Sequence, residues 1–354
     1  MHLLKNSTNQ KNWTELYRDS IKKREDLNLF FDINLETLNY PIFIPKSFAK
    51  KIKKSGPDSP LWKQFIPNKV ENNKSLFDHI DPIGDHQNAK GSGIIHRYKN
   101  RILFTPTVNC PIICRYCFRK NELYNQDDIF KQNLNQLIDY LTKNSEINEV
   151  ILTGGDPLVL SNQKIDLILE MISSTQVKFV RFHTRTPIIL PERIDDGFVQ
   201  VLEKYSQIFT RLLFVLHTNH ADEIDDDVYN SLKKLKNLPI DKLTQSVLLN
   251  GVNNNEVDLF NLFSRIIDCH FTPYYLHHPD LVKGGMHFYL PIEEGRVLYS
   301  KLRNKLPGWG IPHYIIDHPN GHGKQLAFNP ESTLFSGKFL NLNNVEISYP
   351  IEMN

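Results

Sequence analysis

Cysteine is scarce in this sequence, and net charge is nearly absent. Four cysteines in 354 residues are too few for a disulfide-stapled fold. The 42 Lys and Arg residues against 40 Asp and Glu leave a charge of +2, which removes the electrostatic basis for a nucleic-acid partner. No apolar run approaches the roughly 20 residues of a membrane helix, so no membrane partner is expected. The opening MHLLKNSTNQKNW turns polar too soon for a secretory signal, and the expected location is cytoplasmic. Repeats and low-complexity tracts are lacking too. With 40% hydrophobic and 23% charged residues, wholesale disorder is excluded and a globular core is expected.

What is present falls into two patterns. Residues 12–27 read as one amphipathic helix, with Trp13, Leu16 and Ile21 at helical spacing. A Pro-punctuated stretch follows, in which Ser47 could cap a short helix stopped by Gly56-Pro57. Residues 67–95 are polar and read as a connection lying over a larger body. From residue 100, short apolar runs at 101–105, 149–153, 178–183, 211–217, 245–249 and 272–277 alternate with helix-length segments. Those segments span roughly 127–143, 161–174, 192–205, 222–236 and 256–268. Such alternation predicts an α/β fold with a parallel sheet and helices outside it. Six strands suit an open or partial (β/α)6 barrel, with its active site at the carboxyl ends of the strands. The expected division is an N-terminal helical extension over 1–95, a core over 96–325 and a tail over 326–354.

Three of the four cysteines crowd into CPIICRYCFRK, residues 110–120. The spacing C-x3-C-x2-C, through Cys110, Cys114 and Cys117, follows the first strand. Three thiolates on one loop can hold three corners of a [4Fe–4S] cluster and leave the fourth iron open for a ligand. A zinc site is the plainer alternative, with Cys269 or a histidine as fourth ligand, but no second C-x2-C pair supports it. Cys269, alone before the sixth strand, reads as a buried small hydrophobe. The second strand ends in LTGGDPL, residues 152–158, where Gly154 and Gly155 permit a close backbone approach that a Cβ would block.

The cysteine spacing at the end of the first strand resembles the radical S-adenosylmethionine superfamily. In that family the open iron takes S-adenosylmethionine, and Gly154, Gly155 and Asp156 match the segment that receives its methionine part. Longer stretches resemble the lysine 2,3-aminomutase family: HRYKNR (96–101), CRYCFR (114–119), HTRTPIILPERI (183–194), HTNHADEIDD (217–226), QSVLLNGVN (245–253), PYYLHHPDLVKGGMHF (273–288) and PHYIIDHPNGHGK (312–324). The likeness runs from about residue 40 to 325 and is closest to the branch that makes (R)-β-lysine for elongation factor P.

The resemblance implies three cofactors: a [4Fe–4S] cluster on Cys110, Cys114 and Cys117, S-adenosylmethionine, and pyridoxal 5′-phosphate. Gln245 joins Gly154, Gly155 and Asp156 as an expected S-adenosylmethionine contact. Lys324 matches the lysine that carries pyridoxal phosphate, and Arg97, Tyr98 and Arg101 match residues that bind that cofactor. Arg119 matches the group that holds the amino acid's carboxylate; Asp280 and Asp317 match the two that receive the ε-ammonium of lysine. The implied activity is an isomerisation, L-lysine to β-lysine, with a flavodoxin- or ferredoxin-type electron donor and an indirect link to elongation factor P. The competing expectations are an aminomutase acting on glutamate or arginine, and a non-catalytic iron–sulfur or zinc protein. His277, His278, His287 and His313 are read as hydrogen-bonding histidines rather than ligands of a second metal.

Overall fold

In the computed structural model, residues 12–37, 39–122, 133–318 and 323–328 are described, with two further strands at Lys338–Leu340 and Glu346–Ser348. The expected helix over 12–27 is two. Asn12 caps α1 (Trp13–Arg18) with a reciprocal bond to Glu15. The helix then stops at Asp19, so that β1 (Ser20–Ile21) can pair with β2 (Ile44–Pro45). α2 (Arg24–Phe31) follows as a separate helix. Burying Ile21 and Ile44 against the core outweighs continuing the helix. α3 (Lys46–Ser55) starts one residue before Ser47, so Pro45 and not Ser47 stands at its N-cap; Gly56 ends it at φ 85°. α4 (Pro60–Phe65) is capped by Ser59.

The polar connection over 67–95 contributes more than a covering. After the short helix α5 (Asp85–Asn88), β3 (Ala89–Gly91) and β4 (Ile94–Tyr98) form an antiparallel edge of the main sheet. The parallel body then begins: β5 (Arg101–Thr107), β6 (Glu149–Gly154), β7 (Phe179–Thr184), β8 (Arg211–His217), β9 (Asp241–Val247), β10 (Thr272–His277) and β11 (His313–His318). β12 (Gly323–Leu326) closes the far edge antiparallel to β11. The sheet runs in unbroken sequence order from β3 to β12, and among the described residues its two edges do not pair. The result is an open α/β array, the topology of a partial barrel, with seven parallel strands where six were expected. β9 lies four residues earlier than the apolar run at 245–249, whose last two residues pack beyond the strand.

Helices α6 (Leu134–Lys143), α7 (Asn162–Ser173), α9 (Asp196–Ser206), α10 (Asp226–Lys233), α11 (Glu256–Asp268) and α12 (Ile292–Arg303) alternate with these strands. The short α8 (Thr186–Ile189) follows β7. Strand periodicity sorts the side chains. Val150, Leu152, Val180, Phe182, Leu212, Phe214 and Leu276 are all at most 2% exposed, packed with Ile168, Leu169, Phe198, Leu202, Leu262 and Phe263 of the helices. Each such side chain contributes about 1.5–3 kcal/mol. Alternate residues face inward: Arg101 and Leu103, Glu149 and Ile151, Arg181 and His183, Tyr275 and His277. A face this polar is not a core; it is the wall of a site. Cys269 is buried among apolar residues, as expected. No described helix is long and apolar enough to cross a membrane.

Candidate active site

The carboxyl ends of the parallel strands surround a cavity of about 490 Å³, within the range of small-molecule sites. Cys110, Cys114 and Cys117 line it, half-buried, on the loop after β5. The N-terminal extension holds that loop. Ile113 N–H donates to Phe43 O at 3.2 Å and Arg115 N–H to Gln64 O at 2.8 Å. The Arg115 guanidinium donates to Glu71 through Nε at 2.8 Å, and Lys120 Nζ to the carbonyls of Arg115 and Gly284, each at 2.8 Å. Tyr116 shares a 2.9 Å hydrogen bond with His217 Nε2. Burial pushes the Cys114 thiol above its usual range, and burial with Cys114 alongside pushes Cys117 up to about 11. Thiolates here need a cation to compensate them.

With three cysteines on one loop and no second C-x2-C pair, a four-iron cluster suits that charge better than a lone zinc. Four Zn–S bonds of about 2.3 Å would draw the sulfurs to about 4 Å from one another. Among the described residues only Asp81, His86 and Glu122 bring three ligand-type atoms within 4.8 Å; the three thiols do not. Three cysteine ligands on one loop suit three corners of a four-iron cage. The Asp81 carboxylate accepts the backbone N–H groups of Asp85 and His86, both at 2.9 Å, so that trio secures α5.

Gly154 and Gly155 turn the end of β6 along the strand that enters the cysteine loop. A Cβ on Gly154, which sits at φ +103°, would meet the Thr105 side chain at 2.0 Å; one on Gly155 would meet the Asn109 carbonyl oxygen at 2.2 Å. Both also line the cavity, as do Asp156 and Gln245. The Asp156 carboxylate is engaged by Leu158 N–H, the Thr184 hydroxyl, Arg185 N–H and Thr186 N–H. It ties the β6 and β7 loops together.

Lys324 lines the same cavity. Asp317 and Lys324 are cross-strand partners in the β11–β12 hairpin, and the Lys324 ammonium bonds the Asp317 carboxylate. Lys324 N–H also donates to Tyr98 Oη at 3.0 Å, and the Arg101 guanidinium lies 3.8 Å from the centre of the Tyr98 ring. Arg97 reaches Asp317 at 3.8 Å, and its Nε is buried with no hydrogen-bond partner. An orphan guanidinium N–H beside Tyr98 and Arg101 fits a phosphate, and an amine on the same wall fits an aldehyde cofactor.

Arg119, Asp280 and Asp317 line the same cavity. Burial opposes the charge on Arg119, but the Asp85 carboxylate at 2.8 Å overrides it, so the guanidinium's pKa rises. Burial raises Asp317 too, yet Lys324 and His277 outweigh it and hold the carboxyl well below its usual range. Asp280, desolvated in the cavity wall and facing the Asp317 charge, is pushed up to about 8. Burial and then Lys324 lower His277, against the pull of Asp317.

Several wall residues escaped the sequence reading. The Arg181–Glu149 pair, with an Nε–Oε1 distance of 2.9 Å, joins β7 to the first residue of β6. A register shift between Pro273 and Tyr275 lets Tyr274 join Tyr275 on the cavity side, their hydroxyls 2.7 Å apart. Charged residues alternating with apolar ones, as in KFVRFH, were the available signal for the first; nothing local marks the bulge.

This open parallel array, with a three-cysteine loop after its first parallel strand, defines a radical S-adenosylmethionine enzyme, and residues 104–263 match the radical SAM superfamily. A curated L-lysine 2,3-aminomutase of Buchnera aphidicola is 36% identical over 88% of this chain and 90% of its own length. That of Escherichia coli K12 is 30% identical over 87% and 92%, and that of Clostridium subterminale 29% identical over 88% and 76%. The chain belongs to the lysine 2,3-aminomutase family of radical SAM enzymes and is an isomerase that works with a [4Fe–4S] cluster, S-adenosylmethionine and pyridoxal phosphate.

Proposed function

We propose that this enzyme converts L-lysine to β-lysine by moving the amino group from C2 to C3. One observation carries the reading: the thiol trio, Lys324, and the charges expected to grip a lysine, Arg119 at one place and Asp280 with Asp317 at another, share one cavity. Cys110, Cys114 and Cys117 would hold the cluster, with Gly154, Gly155 and Gln245 beside S-adenosylmethionine and Asp156 fixing the glycine turn. Lys324 would carry pyridoxal phosphate, with Arg97, Tyr98 and Arg101 toward its phosphate. When bound, these groups supply a carbon radical strong enough to take an unactivated hydrogen and a conjugated ring that eases nitrogen migration.

The chain's own residues set the geometry. Arg119 orients the carboxylate, and the Asp280–Asp317 pair accepts the distal ammonium at the other end, so the reacting carbons are held between them. Asp317 is ionised and takes the ammonium directly; Asp280 gives up its proton as the cation arrives. A distal carboxylate, as in glutamate, would meet two acids and be rejected. Likeness of the NW, IPKSF and CRYCFR segments to the elongation factor P branch supports (R)-β-lysine as the product. Incubating the reconstituted protein with free L-lysine under anaerobic, reducing conditions should yield β-lysine on chiral analysis. Turnover of glutamate or arginine in its place would overturn the assignment.

A further inference from the structure

The segment Ile83–Gly84–Asp85 lies outside every group assigned above, yet it touches two of them. Gly84 adopts the left-handed conformation at φ 74° and ψ 41°, which favours glycine. The turn thereby aims two consecutive polar groups inward. The Ile83 carbonyl accepts from Arg97 Nη2 at 2.5 Å. The Asp85 side chain, 0% exposed, takes Arg119 by both Nε and Nη2 on its Oδ2, each at 2.8 Å. Its other oxygen makes no hydrogen bond and faces Arg97 Nη2 at 3.6 Å. The turn is itself fixed, because Asp81 holds the backbone N–H groups of Asp85 and His86.

We infer that Asp85 is a positioning residue that sets the enzyme's preference for a ligand bearing a free α-carboxylate. The inference rests on the reading of Arg119 as the carboxylate-binding group. A guanidinium gripped along its Nε–Nη2 edge cannot rotate, so its remaining Nη1 edge is presented in one direction. Nη1 donates to the Thr153 hydroxyl at 3.4 Å, on the cavity wall. An unbraced arginine would adapt its rotamer to each ligand and lose its discrimination, and one buried charge would lose its partner. Arg97, tied to the same turn, is held on the neighbouring side.

The test compares equilibrium binding of L-lysine and L-lysinamide, which lacks the carboxylate, to enzyme loaded with cluster and cofactors. Wild type should prefer L-lysine by at least about tenfold, the scale of one charge-assisted contact. Asp85→Asn should lower that preference about tenfold while lysinamide affinity stays within about threefold. Asp85→Glu, which keeps the charge but moves it, should restore part of the preference. Iron content and the melting curve show whether each variant is folded; if Asp85→Asn does not fold, Asp85→Glu alone must still show reduced preference. A variant that retains the full wild-type preference overturns the inference. Arg119→Gln separates the two layers. If it too keeps the preference, the carboxylate assignment has failed; if it loses the preference and Asp85→Asn does not, only the positioning role has failed.

Discussion

The cysteine loop and the Lys324 hairpin line one cavity and are built in opposite ways. The loop is sunk into the interior. Glu71, Arg115 and Lys120 brace it with buried charges, each at most 6% exposed, and the backbone of the N-terminal extension adds two more bonds. Lys324 instead stands exposed on the last strand of the sheet, tied by a cross-strand carboxylate and one tyrosine hydroxyl. The contrast follows from chemistry. A cluster needs thiolates that do not move, since each misplaced sulfur loosens the cage. A lysine with the role proposed for Lys324, releasing and retaking an aldehyde, needs room to swing.

Breaking each side separately should show the difference. Cys117→Ser should remove the bound iron and lower turnover on the order of a thousandfold or more, along with all reductive cleavage of S-adenosylmethionine. Lys324→Ala should lower lysine turnover comparably while iron content and slow S-adenosylmethionine cleavage persist. Borohydride should attach pyridoxal phosphate at Lys324 in wild type; a label elsewhere would refute that residue's role. Loss of iron in the lysine variant would show that the two walls are not independent.

A smaller effect is expected in the brace. Glu71→Gln leaves Arg115 and Lys120 buried without their carboxylate, a loss of about 3–5 kcal/mol. A fall in melting temperature of about 5–10 °C, with faster loss of iron on standing, is the expected outcome. An unchanged melting curve would mean the brace is dispensable. Burial already depresses Lys120 to about 8 against the pull of Glu71, so removing Glu71 should let it lose its proton near neutrality.

The smallest expected effect is one of pH. Asp280, raised to about 8, holds a proton that an incoming ammonium displaces. Below its pKa, binding must expel that proton; above it, none is expelled. L-Lysine affinity should therefore improve as pH rises from about 6 to 8, by up to about tenfold per unit, and level off beyond. Asp280→Asn should flatten the slope. A slope that survives the substitution would move the titration to another group.

Much of the fold was legible because buried parallel strands are continuous apolar runs. Five of the six expected strands stand within one or two residues of their places, since RLLFVLH and EVILT have no polar alternative. β11 was overlooked because HYIIDH mixes an apolar centre with charged ends, the mark of a strand with one end in a site. The N-terminal helix was misjudged because periodicity cannot foresee that Ile21 pairs with Ile44, more than twenty residues on. In the site, the cysteines and glycines carry their chemistry in residue type and spacing, while Lys324 stands out only through the family resemblance. Asp85, Glu71 and Tyr274 do not, since an acid in a polar stretch and a tyrosine in a strand look ordinary.

By itself, then, the order of residues determined the parallel α/β body, the three-thiol loop and the chemistry those thiols can hold. These depend on local spacing and on which face of a strand is apolar. Tertiary structure alone decided which charges meet: Asp317 with Lys324, Asp85 with Arg119 and Arg97, Glu71 with Arg115. Electrostatic pairing depends on distance in space and on exclusion of water, and neither is written in sequence separation.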